Sequence, residues 1–193
     1  IGYIGPNGAG KSTTIRILAG LDSQFEGDVE VLGYNVKTDP LEVKRRIGYI
    51  PEAAEIYEML TPTEFYELVG GLQDLPWEIT LKRARRLEDY LQLAYADDQR
   101  IDTFSKGMKQ KVLLISGLLH DPELIFLDEP LAGLDANSVI RVGPELERCM
   151  HTNLDGPSKS AWPTPASERL IGFAAPWGAG PPGPAHGLQA EVI

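Results

Sequence analysis

Gly5-Pro6-Asn7-Gly8-Ala9-Gly10-Lys11-Ser12 has the spacing G-x-x-x-x-G-K-[ST] between a short apolar run and a helical pattern. Such a bend does one kind of chemistry: it holds phosphate. Its glycines let the backbone curl until successive N–H groups point inward at an anion, and the helix that follows adds the positive end of its dipole. Lys11 places a point charge on the β- and γ-phosphates of a triphosphate, and the Ser12 hydroxyl is a ligand for Mg²⁺. The expected phosphate-contacting set is Asn7, Gly8, Ala9, Gly10, Lys11, Ser12 and Thr13. A ligand-free turn would use the glycines but would have no use for the lysine and serine beside them.

Asp128 and Glu129 follow the wholly apolar run Leu124–Leu127 and so emerge at the carboxyl end of a buried strand, where open α/β sheets bind ligands. Two carboxylates there divide the labour: Asp128 holds the metal, and Glu129 accepts the proton of an attacking water. Acids that merely end a strand in solvent are the plainer alternative.

The elements that must carry these groups alternate. A strand over Ile1–Ile4 precedes the bend, and a helix runs from Lys11 to about Ala19, closed by Gly20. Asp28–Leu32 alternates with period two and predicts a strand. Asp39-Pro40-Leu41-Glu42 and Thr61-Pro62-Thr63-Glu64 both have capping-box spacing with proline at the first helical position. Ile47–Ile50 predicts a strand. Trp77, Leu81, Ala84, Leu87 and Leu91 recur at helical spacing, and Ser105 caps a further helix through Met108 to Leu119. Strands alternating with helices imply an α/β fold with a parallel sheet, and residues 53–119 read as a helix-only insertion in it.

Composition bounds the rest. The 193 residues carry a net charge of −10 and one cysteine, Cys149. The acidic balance argues against a general nucleic-acid binder, and the lone cysteine allows no intrachain disulfide. The longest apolar stretch, Val112–Leu119, is far short of the roughly 20 residues that cross a bilayer. The chain opens at Ile1 inside a strand pattern with no leader ahead of it, and is expected to be a piece of a longer one. Residues 151–193 are about twice as rich in Gly and Pro as the rest, which predicts an irregular tail. The Ala174–Pro184 run in particular is expected to hold neither a helix nor an internal strand.

Thr103-Phe104-Ser105-Lys106-Gly107-Met108-Lys109-Gln110 resembles the signature motif of ATP-binding cassette proteins. Leu127-Asp128-Glu129-Pro130 and Ala132-Gly133-Leu134-Asp135 resemble that family's Walker B and D-loop. The resemblance covers about residues 1–140 and implies a P-loop NTPase core with an inserted α-helical subdomain. Its implied divisions are 1–52 and 120–148 for the core, 53–119 for the insertion and 149–193 for an atypical tail. It also implies ATP and Mg²⁺ as ligands, and a homo- or heterodimer of cassettes closed head to tail over two nucleotides. Ser105, Lys106, Gly107 and Met108 would then meet the γ-phosphate, since they form a helix N-terminus; Ser105 is also an ordinary N-cap. Asp135 joins Lys11 and Glu129 in the implied catalytic set, and Glu52 joins Ser12 and Asp128 at the metal. Ser105–Gln110 together with Tyr49-Ile50-Pro51-Glu52 resembles the ATP-binding subunits of exporters whose membrane part is a separate polypeptide. A transmembrane subunit is thus an implied partner, with the chain peripheral on the cytoplasmic face of the membrane. Ala53–Leu72 lies where the family meets that subunit; Tyr57 and Met59 are the expected contacts, and Phe65 and Tyr66 are expected in the core.

Three departures stand against the resemblance. Glu52 occupies a position where the family has glutamine, and Leu131 one where Thr or Ser is common. The family also has a histidine at the end of the strand after the D-loop; His120 precedes Walker B, His151 follows Asp135 too closely and His186 lies deep in the tail. The change of composition after residues 141–150 suggests a tail foreign to the family. The readings left open are a transporter ATPase, a soluble ABC ATPase, and a nucleotide-binding fragment without efficient turnover.

Overall fold

Gly10 decides where the first helix begins. Its φ of 84° is a left-handed conformation that favours glycine, and it is the residue from which α1 (Lys11–Leu18) departs. The computed structural model of the chain describes residues 2–5, 8–51, 56–95, 98–128 and 170–176. β1 (Gly2–Gly5) leads into the bend. β2 (Glu30–Val31) and β3 (Tyr34–Asn35) follow α1, then α2 (Pro40–Arg46) and β4 (Ile47–Ile50). The helical insertion holds α3 (Pro62–Leu72), α4 (Trp77–Leu91), a 3₁₀ turn at Ile101–Thr103 and α5 (Lys106–Leu118), with no strand among its described residues. β5 (Leu124–Asp128) returns the chain to the sheet, and β6 (Leu170–Pro176) completes it.

The sheet is parallel in the order β1-β6-β5-β4, with Ile47–Ile50 in register with Leu124–Leu127. Two cores flank it, and the pleat decides which residue enters which. Ile125 and Leu127 of β5 and Ile50 of β4 pack among Phe65, Tyr66, Leu87, Leu91, Ile101 and Leu114 of the helical insertion. Leu124 and Phe126, with Ile47, face the other way and pack with Ile15 of α1 and with Ala19, its C-cap. Side chains at alternate positions of a strand point to opposite faces, so Asp128 shares the α1 face with Leu124 and Phe126. On the opposite face α5 lies directly on β4: a Cβ on Gly48 would come within 2.6 Å of the Gly117 carbonyl oxygen. At its far end, Arg83 of α4 donates a buried 2.8 Å hydrogen bond to the Leu119 carbonyl, placing a cation where the helix dipole favours one.

Local signals set the helix ends, with one exception. Thr61 and Glu64 form the expected reciprocal cap: Thr61 Oγ1 accepts from the Glu64 amide at 3.3 Å, and Glu64 accepts from the Thr61 amide at 2.8 Å. The same spacing at Asp39–Glu42 does not form one. Glu42 instead accepts from Arg46 at 2.6 Å, and Asp39 accepts from the Thr38 hydroxyl at 2.5 Å. A guanidinium one turn along is a stronger partner for a carboxylate than a backbone amide.

Two further expectations need correction. The strand expected over Asp28–Leu32 is only Glu30–Val31, and it pairs antiparallel with β3 outside the parallel sheet. Leu32 (φ 52°) and Gly33 (φ 78°) both take positive φ, as a two-residue type I′ hairpin requires. The tail, expected to be irregular, supplies β6 over Leu170–Pro176, paired with β1 on one side and β5 on the other. The run Leu-Ile-Gly-Phe-Ala-Ala precedes the first proline of the Ala174–Pro184 segment, so every strand position up to Ala175 keeps its N–H. Pro176 falls at the last strand position, so the N–H it lacks is withheld only at the end of the ladder.

Candidate nucleotide site

The site begins with the bend after β1. Gly8 and Gly10 hold φ of 81° and 84°, and a Cβ built on either meets nothing within 4 Å; the loop therefore opens to space rather than to protein. Gly10 supplies no side-chain cap to α1, and the positive end of the helix dipole faces the bend. The Gly10 carbonyl instead accepts from the Thr14 amide and hydroxyl at 2.8 and 2.9 Å, which tightens the first turn. Lys11 is buried at 6% exposure, whereas Ala9, Ser12 and Thr13 are exposed.

Ser12 and Asp128 meet. Ser12 Oγ donates a 3.0 Å hydrogen bond to Asp128 Oδ1, and Asp128 is itself 4% exposed. The contact follows from the pleat: Asp128 is on the α1 face of β5, and Ser12 is in the first turn of α1. A hydroxyl and a carboxylate in contact are hard oxygen donors of the kind Mg²⁺ takes, with its other positions left to phosphate and water. Among the described residues, no group of three or more His, Cys, Asp or Glu could hold a metal, so a cage made of protein ligands alone is not what these residues offer.

Two residues join this site that the motif does not name. Tyr49 of β4 is in register with Phe126 and so shares the Asp128 face. Burial pushes its hydroxyl pKa up, and the charge of Asp128 adds to the rise while Arg16 opposes it. Arg16 stands one turn after Ser12 on α1, at the i+4 spacing that puts two side chains on one helix face. That spacing was visible in the sequence; the proximity of Tyr49 to Asp128 needed the sheet register.

The second phosphate-binding candidate is the start of α5. Ser105 Oγ accepts from the Met108 amide at 3.3 Å and caps the helix, and the Ser105 carbonyl accepts from the Lys109 amide at 3.0 Å. Ser105 and Lys106 are exposed, and Gly107 and Met108 half-buried. Asn7, Glu52, Glu129 and Asp135 lie outside the described residues, as do Leu131, Cys149, His151 and His186. Among the described residues the next strand after Asp128 is β6, which ends at Pro176; His120 sits elsewhere, its Nε2 2.9 Å from the Ile47 carbonyl oxygen.

On the helical insertion, Phe65 and Tyr66 are buried while Tyr57 and Met59 are 65% and 69% exposed. An open groove of about 650 Å³ beside them is lined by Met59, Thr61, Thr63, Glu64, Arg85, Asp98 and Arg100. It is separate from the phosphate loop, and no helix among the described residues is long and apolar enough to cross a membrane.

Comparison with known proteins accounts for this arrangement. Residues 1–132 match the ABC transporter family. The chain is 42% identical over 137 residues to the daunorubicin/doxorubicin resistance ATP-binding protein DrrA of Streptomyces peucetius, covering 71% of this chain and 42% of that protein. A solved ATP-binding subunit of an ABC transporter superposes with a TM-score of 0.69 at 30% identity, covering 91% of this chain and 66% of the other. The dimeric bacterial ABC transporter cassette MJ0796 shares the fold, with a TM-score of 0.71 at 23% identity over 90% of this chain and 72% of its own. The chain spans about two fifths of the length of the curated relatives it matches. By the match across two thirds of its length, and by the phosphate loop and acidic strand end brought together in its fold, this chain belongs to the ABC transporter family.

Proposed function

We propose that this chain is the ATP-binding and ATP-hydrolysing part of an ABC transporter of exporter type, acting on a separate membrane subunit from the cytoplasmic face. The observation that carries the reading is the Ser12–Asp128 contact of 3.0 Å, which joins the end of the phosphate loop to the Walker B strand. The kinship to a drug-resistance ATP-binding protein supports the exporter assignment.

In this reading the amides of Asn7 to Thr13 hold the β- and γ-phosphates, Lys11 neutralises them, and Ser12, Asp128 and Glu52 hold Mg²⁺. The ion, when bound, offsets phosphate charge and orients the γ-phosphoryl group. Glu129 takes the proton of the attacking water, and Asp135 orders the same region from the D-loop. Residues 1–52 and 120–148 form the core, 53–119 the helical insertion and 149–193 the tail. A second cassette, identical or not, closes head to tail so that Ser105, Lys106, Gly107 and Met108 present a helix N-terminus to the γ-phosphate of the partner's nucleotide. The membrane subunit meets the helical insertion at Tyr57 and Met59, and nucleic acid plays no part.

The test is Mg²⁺-dependent binding of a fluorescent ATP analogue, with Lys11→Ala beside it. Loss of that charge-assisted contact should weaken binding by about tenfold or more; equal affinity in the two proteins would overturn the reading. One observation favours a second reading, binding without efficient turnover: β6 ends on Pro176, with no histidine at the position where the family resemblance calls for one. Removing one charge-stabilising donor costs on the order of 10²–10³ in rate. Single-turnover hydrolysis on this chain, set against Pro176→His, separates the two.

A further inference from the structure

We propose that Tyr95, held by the buried carboxylate of Glu88, is a positioning residue for the Ser105 end of α5. The inference rests on the reading above, in which that helix end meets a partner's γ-phosphate.

Glu88 is in the last turn of α4 and only 5% exposed. A carboxylate there is costly unless both oxygens are bonded, and both are. Arg85, one turn earlier, reaches Oε2 at 3.1 Å, while the Tyr95 hydroxyl donates a short hydrogen bond to Oε1. Arg85 also donates to the Tyr95 oxygen at 3.2 Å, closing a triangle. The ring so fixed lies tilted at 53° against Phe104, with centroids 5.5 Å apart. Phe104 is 6% exposed, and the next residue is Ser105, the N-cap of α5. A continuous line of contacts therefore runs from α4 through a hydrogen-bonded phenol to the residue that precedes the cap.

Stability alone does not explain this choice. A phenylalanine at 95 over an aliphatic residue at 88 would fill the same volume without burying charge, and such replacements are often neutral or stabilising. What the triangle adds is direction: a ring held by its hydroxyl keeps one orientation, and the helix start follows it. A second tie near the start of this helix, Glu58 to Lys109 at 2.6 Å, joins side chains 47% and 24% exposed. Exposed pairs of that kind contribute little. Arg85 is 45% exposed as well, but the Glu88 side chain is only 6% exposed, so the Tyr95–Glu88 bond is the stronger constraint.

The test uses the full chain with two readouts. One is ATP-dependent self-association by sedimentation, measured beside monomer affinity for an ATP analogue. The other is hydrogen exchange at the Met108 and Lys109 amides, both bonded to Ser105. Tyr95→Phe and Glu88→Leu should each weaken association about tenfold and speed exchange at those amides by a similar factor, as loss of one charge-assisted hydrogen bond would. Nucleotide affinity should stay within about twofold. Glu88→Gln keeps an acceptor for the hydroxyl and should retain most of both properties. Unchanged exchange in Tyr95→Phe and Glu88→Leu overturns the positioning role, as does a fall in nucleotide affinity in step with association. A wild-type chain that never self-associates with ATP while the exchange effect stands refutes the role given to Ser105, and with it the functional part of the proposal.

Discussion

Ser12 Oγ lies 3.0 Å from Asp128 Oδ1, a hydrogen bond between residues 116 apart in sequence. It makes one site of two motifs, and the partners stand or fall together. Ser12→Ala leaves a buried carboxylate without its donor, and Asp128→Asn leaves the hydroxyl beside a neutral amide.

Each of these substitutions is expected to cut the gain in nucleotide affinity that Mg²⁺ provides by about tenfold. The double substitution should cost much less than the two losses added together, because residues in one network couple. Titration of an ATP analogue with Mg²⁺ and with EDTA checks this. Additive losses would mean that the two side chains do not share a ligand.

Gly70 of α3 and Thr80 of α4 mark a close approach within the helical insertion. A Cβ at Gly70 would come 2.3 Å from Thr80 Oγ1 and 2.6 Å from its Cγ2. Gly70→Ala should destabilise the chain by about 1–3 kcal/mol through overpacking, despite alanine's better helix propensity. Thr80→Gly in the same protein should recover part of the loss. Denaturant midpoints of the native chain, the two single substitutions and the double form the measurement; a stabilised Gly70→Ala would show that the helices are not locked at this point.

His120 gives the fold a pH dependence with a definite sign. Burial lowers its pKa below the usual 6.5, opposed by the hydrogen bond to the Ile47 carbonyl and by Asp121, and reinforced by Arg83. Its Nδ1 is buried with no partner among the described residues, so the neutral ring with Nε2–H toward Ile47 fits the site. The folded pKa is below the unfolded one. The associated stability is therefore complete above about pH 6.5 and is lost as pH falls through the lowered value. Melting temperature should drop between pH 7 and 5 in the native chain, and by less in His120→Gln, whose amide keeps a donor for Ile47 and does not titrate. Parallel curves would assign the acid sensitivity elsewhere.

The features legible in the chain were those whose physics is local. The phosphate bend needs only its own glycines, lysine and serine; the cap at Thr61 needs only Glu64, three residues on; α4 runs over Trp77–Leu91 as its apolar spacing predicts; and Leu124–Leu127 is apolar enough to be a buried strand in any sheet. Local signals misled where a distant or competing partner was stronger, as when Arg46 took the carboxylate of Glu42 from the cap of α2. The positive φ of Leu32, which folds β2 back on β3, carries no mark in residue type.

What the tertiary structure decided is which face each residue occupies and which strands are neighbours. The pleat of β5 sends Asp128 toward α1, while register with β4 brings Tyr49 to the same face. β6, from the glycine- and proline-rich tail, enters the middle of the sheet between β1 and β5. Parallel pairing is set by hydrogen bonds between segments far apart in the chain, and its cost in loop closure is repaid only by the whole sheet. No window of neighbouring residues contains that sum. The amino-acid order alone thus set the residue types, a Gly-Lys-Ser bend and an acidic strand end, and the assembled sheet determined that Ser12 and Asp128 meet at one point.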